Sequence, residues 1–345
     1  MHRTDISSLG EFKLIERLTD KIIYTDKTIL KGVGDDSAVI TNSFCMLVTT
    51  DMLTEGIHFD LTYVPLKHLG YKAVAVNVSD ICAMNALPKF ITVSIGISNR
   101  FSVEAIEELY EGIHAACQKY NVSLIGGDTC SSKSGLVINI TCIGEQLQEK
   151  IVYRKGANVG DLLCVTGDLG AAYLGLQLLE REKQVYLEDP NMQPNLLHAP
   201  YLLQRQLKPE ARIDVITQFA NNEILPTSMI DVSDGLSSEI LHLSKHSNVG
   251  FNLLEDRIPI HDECKQQAFE FGIDATLCAM SGGEDYELLF TIPAAEYNKI
   301  MLAGDISVIG QAVTMAEGNH LITKSGNKHP LSALGWNAFS GTDNL

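Results

Sequence analysis

Five short segments of this chain seat aspartates among glycines, serines and threonines. They are Gly32-Val33-Gly34-Asp35-Asp36-Ser37, Thr49-Thr50-Asp51, Asn77-Val78-Ser79-Asp80, Gly126-Gly127-Asp128-Thr129 and Asp231-Val232-Ser233-Asp234-Gly235. Any one is an ordinary turn sequence, because Asp, Ser and Gly are residues that turns favour. Five of them, spread over about two thirds of the chain, call for a fold that assembles one site from several loops. Carboxylates held beside small hydroxyl residues suit Mg²⁺ and polyphosphate. Mg²⁺ takes oxygen ligands in octahedral geometry and is usually shared between carboxylates and substrate phosphates.

The spacing between these segments predicts the elements that carry them. A short amphipathic helix is expected over 11–24, from Phe12, Leu14, Ile15, Leu18 and Ile22. Phe44 to Thr50 reads as a buried strand that delivers Asp51 at its exit. Leu66 to Asn85 is helical, with Leu69, Ala73, Val76 and Asp80 on roughly one face. Phe90 to Ile97 is a strand and Val103 to Tyr120 a long helix. Val122–Ile125 and Leu136–Glu145 are strands flanking a Gly126-Gly127-Asp128 turn.

A domain boundary is expected within 147–160, where Arg154-Lys155-Gly156 and Asn158-Val159-Gly160-Asp161 form a polar link. Beyond it come a strand at Leu162–Thr166, a helix from Gly170 to Leu179 and an irregular excursion over 182–200. A helix from about Leu236 follows the Asp-Val-Ser-Asp-Gly turn, and 249–260 and 288–292 read as strands. The expectation is an α+β protein of two domains, 1–148 and 149–345, without regular βαβ alternation.

At 345 residues the chain has room for both. A net charge of −17 argues against a nucleic-acid partner, since backbone phosphates are held by clustered Lys and Arg. An acidic protein can still bind a nucleotide when metal ions neutralise carboxylate and phosphate together. None of the eight cysteines is spaced Cys-x-x-Cys and most lie in apolar runs, so they read as reduced, buried side chains. No signal region or stretch of about 20 apolar residues is present, so no membrane association and a cytoplasmic location are expected.

Each acidic segment has a plainer reading beside the metal one. Of Asp35 and Asp36, repulsion leaves one as a ligand and the other as a turn cap. Thr49, Thr50 and Asp51 leave a strand end and can project into a cleft. Asp80 lies among Ala73, Ala75, Val76, Val78, Ile81 and Ala83, where an unpartnered carboxylate is costly to bury. A metal ion or a capping bond could partner it, and the other acidic segments favour the metal. Asp231 and Asp234 stand three apart at the mouth of a helix. One could be a cap, but capping uses only one, and the helix amides could serve phosphate oxygens.

Gly126-Gly127-Asp128 is either a plain strand–strand turn or a close approach to phosphate. Ser281-Gly282-Gly283-Glu284-Asp285-Tyr286 has similar logic, but its two acids could instead bond an organic substrate. His58 is structural or contacts substrate. No Gly-x-x-x-x-Gly-Lys-Ser/Thr loop, complete dinucleotide fingerprint, kinase His-Arg-Asp or Asp-Phe-Gly, or Gly-x-Ser-x-Gly elbow is present. An ATP enzyme of this sequence would handle triphosphate chiefly through metal ions.

In order, GVGDDSAVI, TTDMLTEGIHFD, LGYKAVAVNVSDICAMNALPKF, IGGDT, IDVSDGLSSEILHLSK and SGGEDYELLFT resemble the thiamine-monophosphate kinase family. That family sits in the superfamily of aminoimidazole ribonucleotide synthetase, selenophosphate synthetase and HypE. The resemblance runs from about Gly10 to the Trp336 region. It implies transfer of the γ-phosphoryl of ATP to thiamine monophosphate, and a homodimer whose N-terminal α/β sheet domain dimerises and binds ATP and Mg²⁺. The C-terminal α+β domain would complete the site. By matching motifs, Asp36, Thr49, Thr50, Asp51, Asp80, Asp128, Asp231 and Asp234 would belong to the metal site. Tyr110, Gly127, Asp128, Arg154 and Ser233 would contact ATP, and His58, Glu284 and Trp336 would contact thiamine phosphate.

The implied acceptor brings its own ionised phosphate oxygen, so no general base is expected and transfer would be direct and in line. The alternatives are a ribonucleotide cyclo-ligase of the same superfamily and a non-catalytic nucleotide-binding regulator. Selenophosphate synthesis lacks its N-terminal reactive Cys here, and HypE chemistry lacks its C-terminal Cys.

Overall fold

From Cys45 to Thr54 the side chains alternate between two environments, with Leu47 and Leu53 buried and Met46, Val48 and Met52 exposed. That period of two is the mark of a strand with one covered face. The structure is a computed structural model, and it describes residues 17–31, 39–40 and 44–332. The chain divides into two compact units, Met1–Ile151 and Val152–Leu345.

In the first unit a short pair, β1 (Ile29–Lys31) and β2 (Val39–Ile40), precedes a four-stranded sheet. Its strands are β3 (Cys45–Thr54), β4 (Leu87–Ile97), β5 (Ser123–Ser131) and β6 (Leu136–Gln146), in the order β3-β6-β4-β5. All pairs are antiparallel except β4 with β5. Helix α1 (Leu66–Ala83) lies on the inner face against β3, β4 and β6 and is buried over most of its length. Helix α2 (Val103–Tyr120) packs on α1, starts under a Ser102 side-chain cap and ends at left-handed Asn121. The two approach closely: a Cβ at Gly70 would meet Leu109 O at 2.0 Å, and one at Gly112 would meet Lys67 O at 1.9 Å.

The second unit holds a seven-stranded sheet of order β13-β12-β9-β11-β7-β10-β8. These are β7 (Leu162–Thr166), β8 (Ser228–Asp231), β9 (Val249–Leu254), β10 (Leu288–Ile292), β11 (Ile306–Thr314), β12 (His320–Ile322) and β13 (Lys328–Pro330). Only β12 and β9 pair in parallel. The helices are α3 (Ala171–Glu188), α4 (Pro200–Leu207), α5 (Ile213–Asn221), α6 (Leu236–Ser247), α7 (Asp262–Phe271), α8 (Ala275–Ser281) and α9 (Tyr297–Ala303). Leu236, Ile240 and Leu243 of α6 join Leu163, Val165, Phe251 and Leu289 in the main core. The α+β expectation holds.

Some expectations change. Gly126-Gly127-Asp128 is no turn: these residues run on within β5, parallel to β4, with a register shift at Ile91/Thr92. The reversal comes later, between Ser131 and Leu136. The excursion expected from 182 begins only after Glu188, and Glu182, 8% exposed, tethers it by accepting the Asn195 N–H at 2.7 Å. The strand at 249 stops at Leu254 and turns into a 3-10 segment at Glu255–Arg257. Of the helix over 11–24, residues 17–19 are helical and 11–16 lie outside the described residues.

Cys82, Cys117, Cys142, Cys164, Cys264 and Cys278 are buried, as the apolar runs require, whereas Cys130 is exposed. Among the described residues no helix is long and apolar enough to cross a membrane.

Candidate functional site

In the first unit, strand alternation sorts the Thr49-Thr50-Asp51 segment onto two faces. Thr49 and Asp51 share the inner face with Leu47 and Leu53, towards α1. There the Thr49 hydroxyl donates to Asp80 Oδ2 at 2.5 Å. The Asp51 N–H donates to Asn77 Oδ1 at 3.1 Å, and Asn77 Nδ2 donates to Ala73 O at 3.0 Å. Asn77 is fully buried, so its amide locks one turn of α1 to the strand. The partner that the apolar setting of Asp80 demanded therefore includes a hydroxyl. Thr50 faces the other way. Its oxygen accepts from Thr141 Oγ1 at 3.2 Å and it donates to Ile140 O at 3.1 Å.

A cleft in the same unit is lined by Leu18, Thr19, Val93, Tyr110, Leu124 and the Gly126–Thr129 stretch. It brings Tyr110, Gly127 and Asp128 together. Gly127 is needed for the approach of β5 to β4, since a Cβ there would lie 1.9 Å from Val93 O. Tyr110 is 7% exposed, and burial pushes its phenol up to about 12, so it remains neutral. Asp128 is exposed on the strand. His58, on an exposed turn, accepts the Thr54 N–H at Nδ1 (3.1 Å), a structural bond. Asp36 and Trp336 lie outside the described residues.

The second unit gathers the other expected residues. Asp231 ends β8 opposite Leu288 and is 4% exposed. Ser233 and Asp234 are half-buried on the following turn, which is clamped to the Glu284–Glu287 segment by three main-chain bonds. Val232 N–H donates to Glu287 O (2.8 Å), Tyr286 N–H to Val232 O (2.9 Å) and Glu284 N–H to Ser233 O (2.7 Å). Gly283, at φ +70, admits this stacking because a Cβ would lie 2.4 Å from Ser233 O. Burial raises the Asp234 carboxyl above its ordinary range, and the Glu284 charge adds to this against His242 and Arg154. Exposed Arg154 therefore shares a field with Asp234, and Arg154 O accepts from Ser247 Oγ at 3.3 Å.

Within Gly283-Glu284-Asp285-Tyr286-Glu287 the acids divide by role. Glu284 is half-buried and accepts from the Tyr286 phenol. Asp285 is no substrate ligand: it is 1% exposed and accepts the Gly170 N–H at 2.8 Å at the start of α3. Glu287, 1% exposed, accepts from Arg205, Arg212 and Thr166, each at 2.6 Å. These buried charges are paired, as burial requires.

Sequence reasoning passed over Asn77, Glu239 and Tyr286. Asn77 lies inside the quoted Asn-Val-Ser-Asp string and was a findable signal. Glu239 stands at the fourth helical position after Gly235, one place beyond the capping-box spacing, and so carried none.

Comparison with known proteins places this arrangement. Residues 34–146 match the family model "AIR synthase related protein, N-terminal domain". Thiamine-monophosphate kinase of Aquifex aeolicus is 35% identical over 340 residues, covering 97% of this chain and 99% of that protein. The chain belongs to the thiamine-monophosphate kinase family.

Another family member, from Bacillus subtilis, is 34% identical over 294 residues, covering 84% of this chain and 85% of that one. Among solved structures, the thiamine-monophosphate kinase of Stenotrophomonas maltophilia K279a superposes with a TM-score of 0.79 at 29% identity, over 93% of this chain and 98% of that one. "AaThiL complexed with AMPPCP and TMP" gives 0.73 at 33% identity, over 98% and 100%. HypE in complex with ATP, at 17% identity and a TM-score of 0.75, shares the fold of this family.

Proposed function

We propose that this protein transfers the γ-phosphoryl group of ATP to thiamine monophosphate, giving thiamine diphosphate and ADP. The observation that carries the reading is end-to-end relatedness to thiamine-monophosphate kinases, one of them solved with AMPPCP and TMP. ATP is the co-substrate.

The residues present fit Mg²⁺. Every side-chain donor assigned to it is an oxygen, the Asp234 carboxyl is raised by burial and by Glu284, and a bound cation would relieve both. Among the described residues no three His, Cys, Asp or Glu side chains come together to hold a metal ion. One or two carboxylates with phosphate oxygens is how Mg²⁺ is commonly held in phosphoryl-transfer sites. We assign Asp36, Thr49, Thr50, Asp51, Asp80, Asp128, Asp231 and Asp234 to this role. Bound Mg²⁺ supplies charge neutralisation for the transferring phosphoryl group.

The chain's own groups do the positioning. Tyr110, Gly127, Asp128, Arg154 and Ser233 hold ATP, and His58, Glu284 and Trp336 hold thiamine monophosphate. Thr49 keeps the Asp80 carboxylate oriented on its buried helix. Arg154 offsets phosphate charge. The acceptor oxygen is already ionised, so no side chain removes a proton and no phosphoenzyme forms. The N-terminal residues 1–148 carry ATP binding and dimerisation, and 149–345 complete the site.

Homodimerisation is supported by the uncovered outer face of the four-stranded sheet, where Met46, Val48 and Met52 are 45%, 66% and 55% exposed. An apolar face of this kind marks an interaction surface. We read the enzyme as cytoplasmic.

The test is turnover with ATP and Mg²⁺ on three acceptors: thiamine monophosphate, free thiamine and the ribonucleotide amidine of the cyclo-ligase reaction. Thiamine diphosphate from the first alone is expected. Activity on the amidine but not on thiamine monophosphate would replace the reading.

A further inference from the structure

The Asp231–Gly235 turn enters α6 without the cap that its sequence leads one to expect. The residue at the cap is Gly235, and no side chain bonds the first helical amides. The donors of the turn are satisfied from inside instead. The Asp234 N–H donates to Glu239 Oε1 at 2.9 Å. The Val232 N–H is taken by Glu287 O. The amides of 232 and 234 are thus occupied by protein groups.

The Asp234 carboxylate is in the opposite condition. Among the described residues it accepts no hydrogen bond; it is half-buried, near Glu284, His242 and Arg154. An aspartate at a helix start ordinarily gives its oxygens to the nearby amides. Here a glutamate from within the helix has taken that duty.

We propose that Glu239 is a positioning residue: by holding the Asp234 amide it frees the Asp234 carboxylate for a divalent cation. This rests on the assignment of Asp234 to the metal site.

The placement of Glu239 argues against a purely stabilising role. It is 2% exposed and gives its oxygen to the Asp234 amide. A well-packed apolar residue of similar volume at such a position is often neutral or stabilising. A carboxylate kept there at a cost serves the turn rather than the core.

The test compares Glu239→Leu, Glu239→Gln and Asp234→Asn in the full-length protein. Hydrogen exchange of the 232–235 amides is read without substrate, and Mn²⁺ binding by electron paramagnetic resonance in the presence of a non-hydrolysable ATP analogue. The Mg²⁺ concentration for half-maximal turnover and the KM for thiamine monophosphate complete the set. Glu239→Leu is expected to fold, to exchange Asp234 faster, and to need about ten- to a hundredfold more Mg²⁺ with KM for thiamine monophosphate unchanged. Glu239→Gln, which keeps one acceptor oxygen in place of two, is expected to fall between it and the wild type.

A Glu239→Leu protein with wild-type Mn²⁺ binding and Mg²⁺ demand overturns the proposal, whatever its melting temperature. If that variant does not fold, Glu239→Gln carries the test, and wild-type exchange and Mg²⁺ demand in it overturn the proposal. Asp234→Asn separates the two readings. A wild-type Mg²⁺ requirement there means the metal assignment itself has failed, whereas a raised requirement there with an unaffected Glu239→Leu rejects only the role of Glu239.

Discussion

The Tyr286 phenol donates to Glu284 Oε1 at 2.8 Å, and the two residues hold φ values of 53° and 62°. Left-handed backbone costs a non-glycine residue of order 1 kcal/mol or more, and a tyrosine there is an outlier. The clamp of this segment onto Val232 and Ser233 holds both in place. The result is a carboxylate with one oxygen fixed by a phenol. Tyr286→Phe is expected to raise KM for thiamine monophosphate about tenfold, the worth of a hydrogen bond to a charged group, with a smaller change in kcat. Steady-state kinetics at saturating ATP check this; an unchanged KM would detach Glu284 from the acceptor.

Asp80 and Thr49 form a second pair, on the inner face of the sheet in the first unit. Asp80→Asn preserves volume and can still accept from Thr49, so the fold should survive while turnover falls about a hundredfold or more. Thr49→Val, which leaves the charge but removes its donor, should lose less. Circular dichroism beside initial rates separates these outcomes from misfolding.

Val48 is two-thirds exposed on the outer face, between Met46 and Met52. A lysine there adds a charge that a paired apolar face would have to bury. Val48→Lys should convert the proposed homodimer to monomer in light scattering coupled to size exclusion, with the far-ultraviolet spectrum unchanged. A wild-type protein that is already monomeric at micromolar concentration would remove this surface from the account.

Cysteine reactivity follows burial. Burial pushes the thiols of Cys117, Cys142, Cys164 and Cys264 up to about 12 and that of Cys278 to about 11, leaving almost no thiolate near neutral pH. Iodoacetamide at pH 8 should therefore label Cys130 first among the eight, as read by peptide mass spectrometry of the native protein. Fast labelling of Cys117 or Cys164 would contradict the packing described.

The elements legible beforehand were those whose limits are written locally. The helix Val103–Tyr120 is bounded by a Ser102 cap and by Asn121 in left-handed conformation, and Leu162–Thr166 and Leu288–Ile292 are short apolar runs. The Gly126-Gly127-Asp128 stretch was misread because its strand character comes from pairing with β4, a contact no local pattern announces. The roles of Glu284 and Asp285 could not be told apart from adjacency alone. Asp285 is a buried cap only because Gly170, far along the chain, comes to meet it. The acidic segments were visible one by one, but the split of Thr49 from Thr50 across the sheet required the strand's phase. Glu239 could be recognised only once its oxygen was seen on Asp234.

The central claim is direct phosphoryl transfer from ATP to thiamine monophosphate, and a single-turnover experiment with γ-³²P-labelled ATP, Mg²⁺ and excess thiamine monophosphate tests it most directly. The account predicts that label passes from ATP to the terminal phosphate of thiamine diphosphate at one rate, with none retained on acid-quenched protein. Label that accumulates on the protein, or that leaves as inorganic phosphate without thiamine diphosphate, would contradict it.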